Sequence, residues 1–346
     1  VYLAAFVSLG VQIPGLVGSQ GILPAGEFLD FVRHRLGAEA LWRLPTLAWI
    51  ASGDAFLQGM CWAGAGLSVL LIFGYAPSLL VFILWLLYLS LFSVGQVFLG
   101  YQWDILLLET GFLAVWAAPL SLRWRGLRHS APHFLIVLLF WWLLFRLLLQ
   151  SSLVKWLSGD PSWRDLSAVA YHYESQPLPN WIGFYFYQLP RWFHKFSAAA
   201  VFFIEGALPF LIFTPRVIRR WVALAIIAFQ ILIMLTGNYG FFNWLSIAIA
   251  LWLFEDGDWR AMFRRRVPSD SERPQALSWP RPVLGAVFLL ILSLSIYPLL
   301  ARSPLARHVP SDLRHYDGIF SSFHLVNGYG LFAVMTKGRG EIAVEG

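Results

Sequence analysis

The chain has 346 residues, of which 58% are apolar and only 13% charged, with a formal net charge of +6 and a mean hydropathy of +0.65. A soluble domain is roughly a quarter charged, so a soluble enzyme is excluded as the default. Aromatic residues at 17% and the lack of a heptad or Gly-X-Y period exclude disorder, coiled coil and collagen. Eighteen Trp and twelve Tyr suit a protein with two membrane interfaces to line. These counts predict an all-α fold, a polytopic helical transmembrane bundle.

A helix crossing about 30 Å of hydrocarbon needs about 20 mostly apolar residues. Runs of that kind fall near 1–13, 55–74, 77–99, 104–120, 133–153, 196–213, 219–236, 240–254 and 283–300, which predicts about nine spans. The run at 240–254 is short, and the one at 104–120 carries two acids. Gly74-Tyr75-Ala76-Pro77 predicts a tight turn between two spans. Between the first two runs, Phe28, Val32 and Leu36 recur at helical spacing with Arg33, Arg35 and Glu39 opposite, which predicts an amphipathic helix. That helix can lie in the membrane interface or pack on a soluble subdomain.

The sequence begins inside an apolar run without Met and stops at Ile342-Ala343-Val344-Glu345-Gly346, a strand-like alternation. It reads as a piece of a longer protein. Two domains are expected: a transmembrane helical domain over 1–300, and over 301–346 the beginning of a truncated, β-rich C-terminal domain. The single cysteine, Cys61, excludes an intrachain disulfide and a dithiol redox centre.

Orientation follows from the basic residues. Arg123, Arg125 and Arg128, then Arg216, Arg219 and Arg220, then Arg260, Arg264, Arg265, Arg266, Arg273 and Arg281 fall in loops that nine spans put on one side. The excess of Arg marks that side as cytoplasmic. Loops 14–50, 155–195 and 237–240 and the tail from about 301 then face the periplasm or an endomembrane lumen. Because the basic residues are spread over short loops, nucleic acid is not an expected partner; membrane lipids are.

Ionisable groups at membrane depth are costly and normally face a partner or a wet cavity. Asp104 and Glu109 lie at the start of one predicted span, Arg146, Gln150 and Lys155 on another, and Glu205 in a third. They can pair among themselves and fix helix register, Glu109 and Glu205 against Arg146. They can equally line a polar cavity open to the non-cytoplasmic side, near which Asp104, Gln150 and Lys155 fall. The 155–195 loop adds Asp160, Trp163, Tyr171, His172, Tyr173, Glu174 and His194, and the 236–243 run adds Asn238 and Asn243. Asp160-Pro161 predicts a helix N-cap with Pro at the first position. His172, Glu174 and His194 match no compact metal-ligand spacing, and no phosphate loop, nucleophile elbow or dinucleotide fingerprint occurs. Neither a metal nor a cofactor is expected.

Several of these segments carry a resemblance. Gly18-Ser19-Gln20-Gly21-Ile22-Leu23-Pro24, Gln102 to Leu113, Phe145-Arg146-Leu147, Lys155 to Trp163, Tyr171 to Pro179, Gln188 to His194, Thr236 to Asn243 and Val326 to Thr336 run in order along the chain. Together they resemble the lipase maturation factor family. Members of that family are multispan membrane proteins with a soluble domain after the last span, and the animal members help secreted lipases fold in the endoplasmic reticulum. The chain departs from that pattern in stopping where the soluble domain begins and in its near-lack of cysteine, which looks bacterial. The membrane implied is therefore the endoplasmic reticulum or a bacterial inner membrane.

A fainter likeness joins Gln150-Ser151-Ser152-Leu153-Val154-Lys155 and the Trp-bearing loop after it to vitamin K-dependent γ-carboxylases. That likeness implies Lys155 as a base acting on a hydroquinone, with Asp104, His172 or Glu174 nearby, whereas the simpler reading is a lysine snorkelling to water. The expected function is thus a folding or maturation factor for an exported lipase-like client, bound through loop aromatics such as Trp156, Trp163, Tyr171, Tyr173, Trp181, Tyr185 and Tyr187. The alternative is a membrane enzyme or a quinone- or lipid-binding protein built on Lys155.

Overall fold

The structure, a computed structural model, describes residues 1–122, 131–176, 178–263 and 277–338. Arg123, Arg125, Arg128, Arg264, Arg265, Arg266 and Arg273 and the 342–346 alternation lie outside the described residues. All regular elements among the described residues are helical. In chain order the longer ones are α1 (Tyr2–Gly10), α2 (Ala25–Leu36), α3 (Asp54–Ile72), α4 (Pro77–Val94), α5 (Gln102–Ala117) and α6 (Phe134–Leu157). Then come α7 (Ala168–Ser175), α8 (Trp181–Tyr187), α9 (Arg191–Phe202), α10 (Arg216–Thr236), α11 (Phe242–Ala250), α12 (Asp256–Phe263), α13 (Arg281–Ala301) and α14 (Ser311–Phe320).

Among the described residues six helices, not nine, are long and apolar enough to cross a membrane: α3, α4, α6, α9 with its continuation to Phe213, α10 and α13. The other three apolar runs spend residues on turns. The first leaves its helix at Gly10 and re-forms at Ile13 around Pro14. The second ends at Ala117, where Ala118 turns extended ahead of Pro119, so α5 measures about 24 Å at 1.5 Å per residue. The third runs only from Phe242 to Leu253, about 18 Å. Nor does a β-rich segment appear in the described part of the tail. Residues 301–338 hold α14 and an irregular run in which Leu325, Val326, Tyr329 and Met335 are buried.

The chain divides into two compact units. Unit 1 comprises Val1–Phe140, Trp259–Pro298 and Val309–Asn327. Here α3 packs on α1 and α4, and α4 packs on α5 and α2. Gly64 lets α3 approach α1 closely: a Cβ there would stand 2.5 Å from the Phe6 ring. The predicted amphipathic helix forms as α2, which buries Ala25 and Leu29 and exposes Phe31 and Leu36. Two predicted polar residues find partners in this unit. Asp104 accepts the Tyr88 hydroxyl at 2.5 Å, and Glu109 accepts the Asn327 backbone N–H at 2.8 Å.

Unit 2 comprises Trp141–Asp258, Leu299–His308 and Gly328–Gly346. Helix α7 packs on α8 and α9, α8 on α10, and α10 on α11. After Phe202 the α9 helix passes into a π turn, Phe203–Ala207, and a 3-10 stretch, Leu208–Phe213. Pro209 explains the change of winding, because it has no N–H to offer the carbonyl four residues back. At the far end of α10 the predicted basic cluster is neutralised locally. Arg219 meets Glu255 at 2.5 Å and Arg216 meets Asp258 at 2.9 Å, while the Arg219 guanidinium lies 4.3 Å from the Trp141 ring centre.

Candidate functional site

The site is in unit 2, at the end where α6 and α10 finish and α9 and α11 begin. On α6, Leu147, Ser151 and Lys155 recur every four residues and so share one face. Lys155 is 4% exposed and Glu205 8%. Their Nζ and Oε2 atoms stand 2.5 Å apart, Nζ also donates to the Ser151 carbonyl at 3.2 Å, and the Trp163 ring centre lies 5.5 Å away. The π turn sets this geometry. Its extra residue swings Glu205 out of the α9 register, and Gly206 lies so near Ser152 that a Cβ would be 2.8 Å from its Oγ.

Two further polar pairs border the same space. The Tyr239 hydroxyl is 2.6 Å from His172 Nε2, and Asn243 Nδ2 donates to Gln230 Oε1 at 2.8 Å. Burial first, and then the charge of Lys155, lower the His172 pKa to about 4, so the imidazole is neutral at pH 7 and either it or the tyrosine donates. These pairs, with Ser151, Trp163 and Tyr173, line a cavity of about 560 Å³ whose remaining walls are mainly apolar side chains of α6, α9 and α10.

The segment after α14 closes one side. Its Leu331, Phe332 and Met335 line the cavity, and its backbone is held by side chains rather than by a strand. Gln150 accepts from Tyr329 N–H at 2.9 Å, Asp160 from Met335 N–H at 2.7 Å, and Phe332 carbonyl from the Trp163 indole at 2.9 Å. Asp160 also caps the short helix that follows it, accepting from Ser162 N–H at 2.9 Å, as its place before Pro161 predicts. Burial opposes its charge, but the N–H groups of Met335 and Ser162, the Ser162 side chain and Lys337 together outweigh that and hold the carboxyl below its usual range.

The structure therefore gathers Lys155, Glu205, Trp163, His172, Tyr173 and Asn243, with Asp160 and Gln150 anchoring the covering segment. Tyr171 is half-buried against the Trp163–Met335 core. It does not gather Glu174 or Asn238, which are exposed. His194 is buried, 3.3 Å from the Tyr187 carbonyl, and is not among the cavity walls. Among the described residues no three His, Cys, Asp or Glu side chains form a metal-holding group. Of the two carboxylates expected opposite Arg146, Glu205 takes Lys155 as its ion partner; Arg146 itself is fully buried on α6. Sequence reasoning missed Gln230 and Tyr239. A lone Gln inside the 21-residue apolar α10 was the available signal for the first.

A family model described as the lipase maturation factor transmembrane domain matches residues 1–261. The chain belongs to the lipase maturation factor family. It is 44% identical to lipase maturation factor 2 of Gallus gallus over 316 residues, covering 86% of this chain and 43% of that protein. It is 41% identical to lipase maturation factor 2 of Homo sapiens, covering 87% and 44%. Against lipase maturation factor 1 of Homo sapiens the identity is 33%, covering 100% of this chain and 64% of that protein. The chain thus spans less than two thirds of the length of these family members. No solved structure matches it. The family match takes in all of α6 to α11, and hence the Lys155–Glu205, His172–Tyr239 and Gln230–Asn243 pairs.

Proposed function

We propose that this protein is a membrane-embedded maturation factor for lipases, and that the cavity end of unit 2 faces the client on the non-cytoplasmic side. The observation that carries the reading is family membership through every helix of the site. Beside the cavity, large rings stay at the surface. Trp181 is 83% exposed, and Trp156, Phe184, Tyr185 and Trp192 are exposed as well. Rings of this size offer broad apolar contact with a polar edge, which suits an incompletely folded client.

Orientation is supported by charge. Arg216, Arg219 and Arg220 sit at the opposite end of α10 from Thr236, and an excess of Arg favours the cytoplasmic side. The resemblance to animal members makes an endoplasmic reticulum membrane the expected setting. Trp163 is withdrawn from the docking set because it is buried with Met335.

The test uses the full-length protein in cells that lack their own maturation factor. Active lipase secreted per lipase molecule rises when the protein is present. A combined Trp181→Ala, Tyr185→Ala and Trp192→Ala variant still inserts but loses most of that gain. If secreted lipase activity is the same with and without the protein, the reading fails; if the triple variant works fully, these rings serve only as an interfacial belt.

A further inference from the structure

The cavity itself has features that client binding does not use. Its volume, about 560 Å³, lies within the roughly 300–1,000 Å³ of small-molecule sites. One part of its wall comes from two spans, α9 and α10, whose cavity-facing positions include small and aromatic side chains: Ala200 and Phe196 on the first, Ala225 and Phe229 on the second. Helix α10 packs on the α9 continuation through Leu208–Phe213 and the π turn. Toward the other end the wall reaches the surface, where Phe196 is 64% exposed and Leu232 41%. An opening between two spanning helices faces hydrocarbon rather than water.

The inner end of the cavity is polar but uncharged in sum. Lys155 and Glu205 cancel each other across 2.5 Å. Asn243 Nδ2 donates to Gln230 Oε1, which leaves the Gln230 amide N–H groups and the Asn243 carbonyl with capacity for a ligand. The Lys155 ammonium has three donors, of which two have the partners already named. We propose that this cavity binds a neutral single-chain lipid, entering from the bilayer between α9 and α10, with its chain along the Ala200–Ala225 walls and a hydroxyl- or ester-bearing head against Gln230, Asn243 and Lys155. An anionic head is disfavoured because Glu205, which would repel it, already neutralises Lys155, the one Lys or Arg among the described lining residues.

The experiment uses the full-length protein in nanodiscs and a monoacylglycerol carrying a photoreactive group on its chain, with labelled residues mapped by mass spectrometry. Labels on α9 and α10 cavity residues, competed by unlabelled monooleoylglycerol and about tenfold more weakly by oleate, are the expected result. Ala200→Trp and Ala225→Trp, filling the chain region from two different helices, each lower labelling about tenfold or more. Labels confined to the outer surface overturn the proposal, as does oleate competing as well as monooleoylglycerol, or unchanged labelling in a filling variant that inserts normally. If a variant does not insert, the wild-type label map and the competition decide. Because the readout is binding, it stands apart from lipase secretion, and either proposal can fail without the other.

Discussion

Lys155 and Glu205, fifty positions apart, meet at 2.5 Å inside unit 2 with both side chains buried. Neither charge has water to fall back on, so each exists at this depth because of the other. Removing one partner strands a buried charge, at a cost of about 3–5 kcal/mol. Lys155→Ala and Glu205→Ala should each lower the thermal midpoint of the detergent-solubilised protein markedly. Lys155→Met with Glu205→Leu should recover most of that loss, since a buried pair replaced by apolar groups is often neutral in stability. Midpoints of the two single variants and the double variant check this, and strictly additive losses would refute the pairing.

How much of this was legible in the sequence depends on range. The spans are readable because hydrophobic length is a local quantity, and Asp160 as a cap is readable because its partner, Ser162, is two residues on. The count of spans is overestimated because an apolar window cannot see where a helix stops: the first run leaves its helix at Gly10, the second at Ala117 ahead of Pro119, and the third is helical only over Phe242–Leu253. The Lys155–Glu205 pair is beyond sequence reach, since it depends on a π turn whose cause, Pro209, follows the acid it redirects. The described part of the tail is out of local reach for a related reason: the N–H groups of Tyr329 and Met335 are taken by the side chains of Gln150 and Asp160. Those two residues stood out as polar groups in unusual places, but nothing local says that they hold a peptide from the other end of the chain.

His172 gives the site a pH response. Burial, then the Lys155 charge, put its pKa at about 4, against 6.5 for an unperturbed imidazole. Between these values the unfolded chain binds a proton that the folded protein refuses, so stability is full above about pH 6.5 and declines as pH falls toward 4. Below about 4 both states are protonated and His172 contributes no further slope. The thermal midpoint should therefore drop more steeply from pH 6.5 to 4.5 in the parent than in His172→Gln, which keeps a polar group opposite Tyr239 but does not titrate.

Asp160 joins two structures with one carboxylate. One oxygen caps the helix at Ser162 N–H, and the other accepts Met335 N–H from the covering segment. Asp160→Asn keeps one carbonyl oxygen and can serve only one of them, whereas Asp160→Ala serves neither. A lost cap costs about 1 kcal/mol, and a buried N–H left without a partner about 1–3 kcal/mol. The expected order of stability is Asp, then Asn, then Ala. Protease sensitivity of the 328–338 segment should rise in the same order while insertion is unchanged; equal protection in all three would show that Asp160 does not hold this segment.

Unit 1 offers a test of packing free of charge effects. The ideal Cβ of Gly64 would stand 2.5 Å from two carbons of the Phe6 ring, and Phe6 is fully buried between α3 and Tyr88. The ring has little room to retreat, so Gly64→Ala forces α1 and α3 apart by several tenths of an ångström, at a cost of about 1–3 kcal/mol. Phe6→Leu removes part of the obstruction while leaving a void of its own. Glycine is needed here for close approach, not for a positive φ. The double variant Gly64→Ala with Phe6→Leu should then be more stable than the sum of the two single losses predicts. Thermal midpoints of the four proteins give the coupling directly, and a coupling of zero would mean that α1 and α3 do not meet at this point.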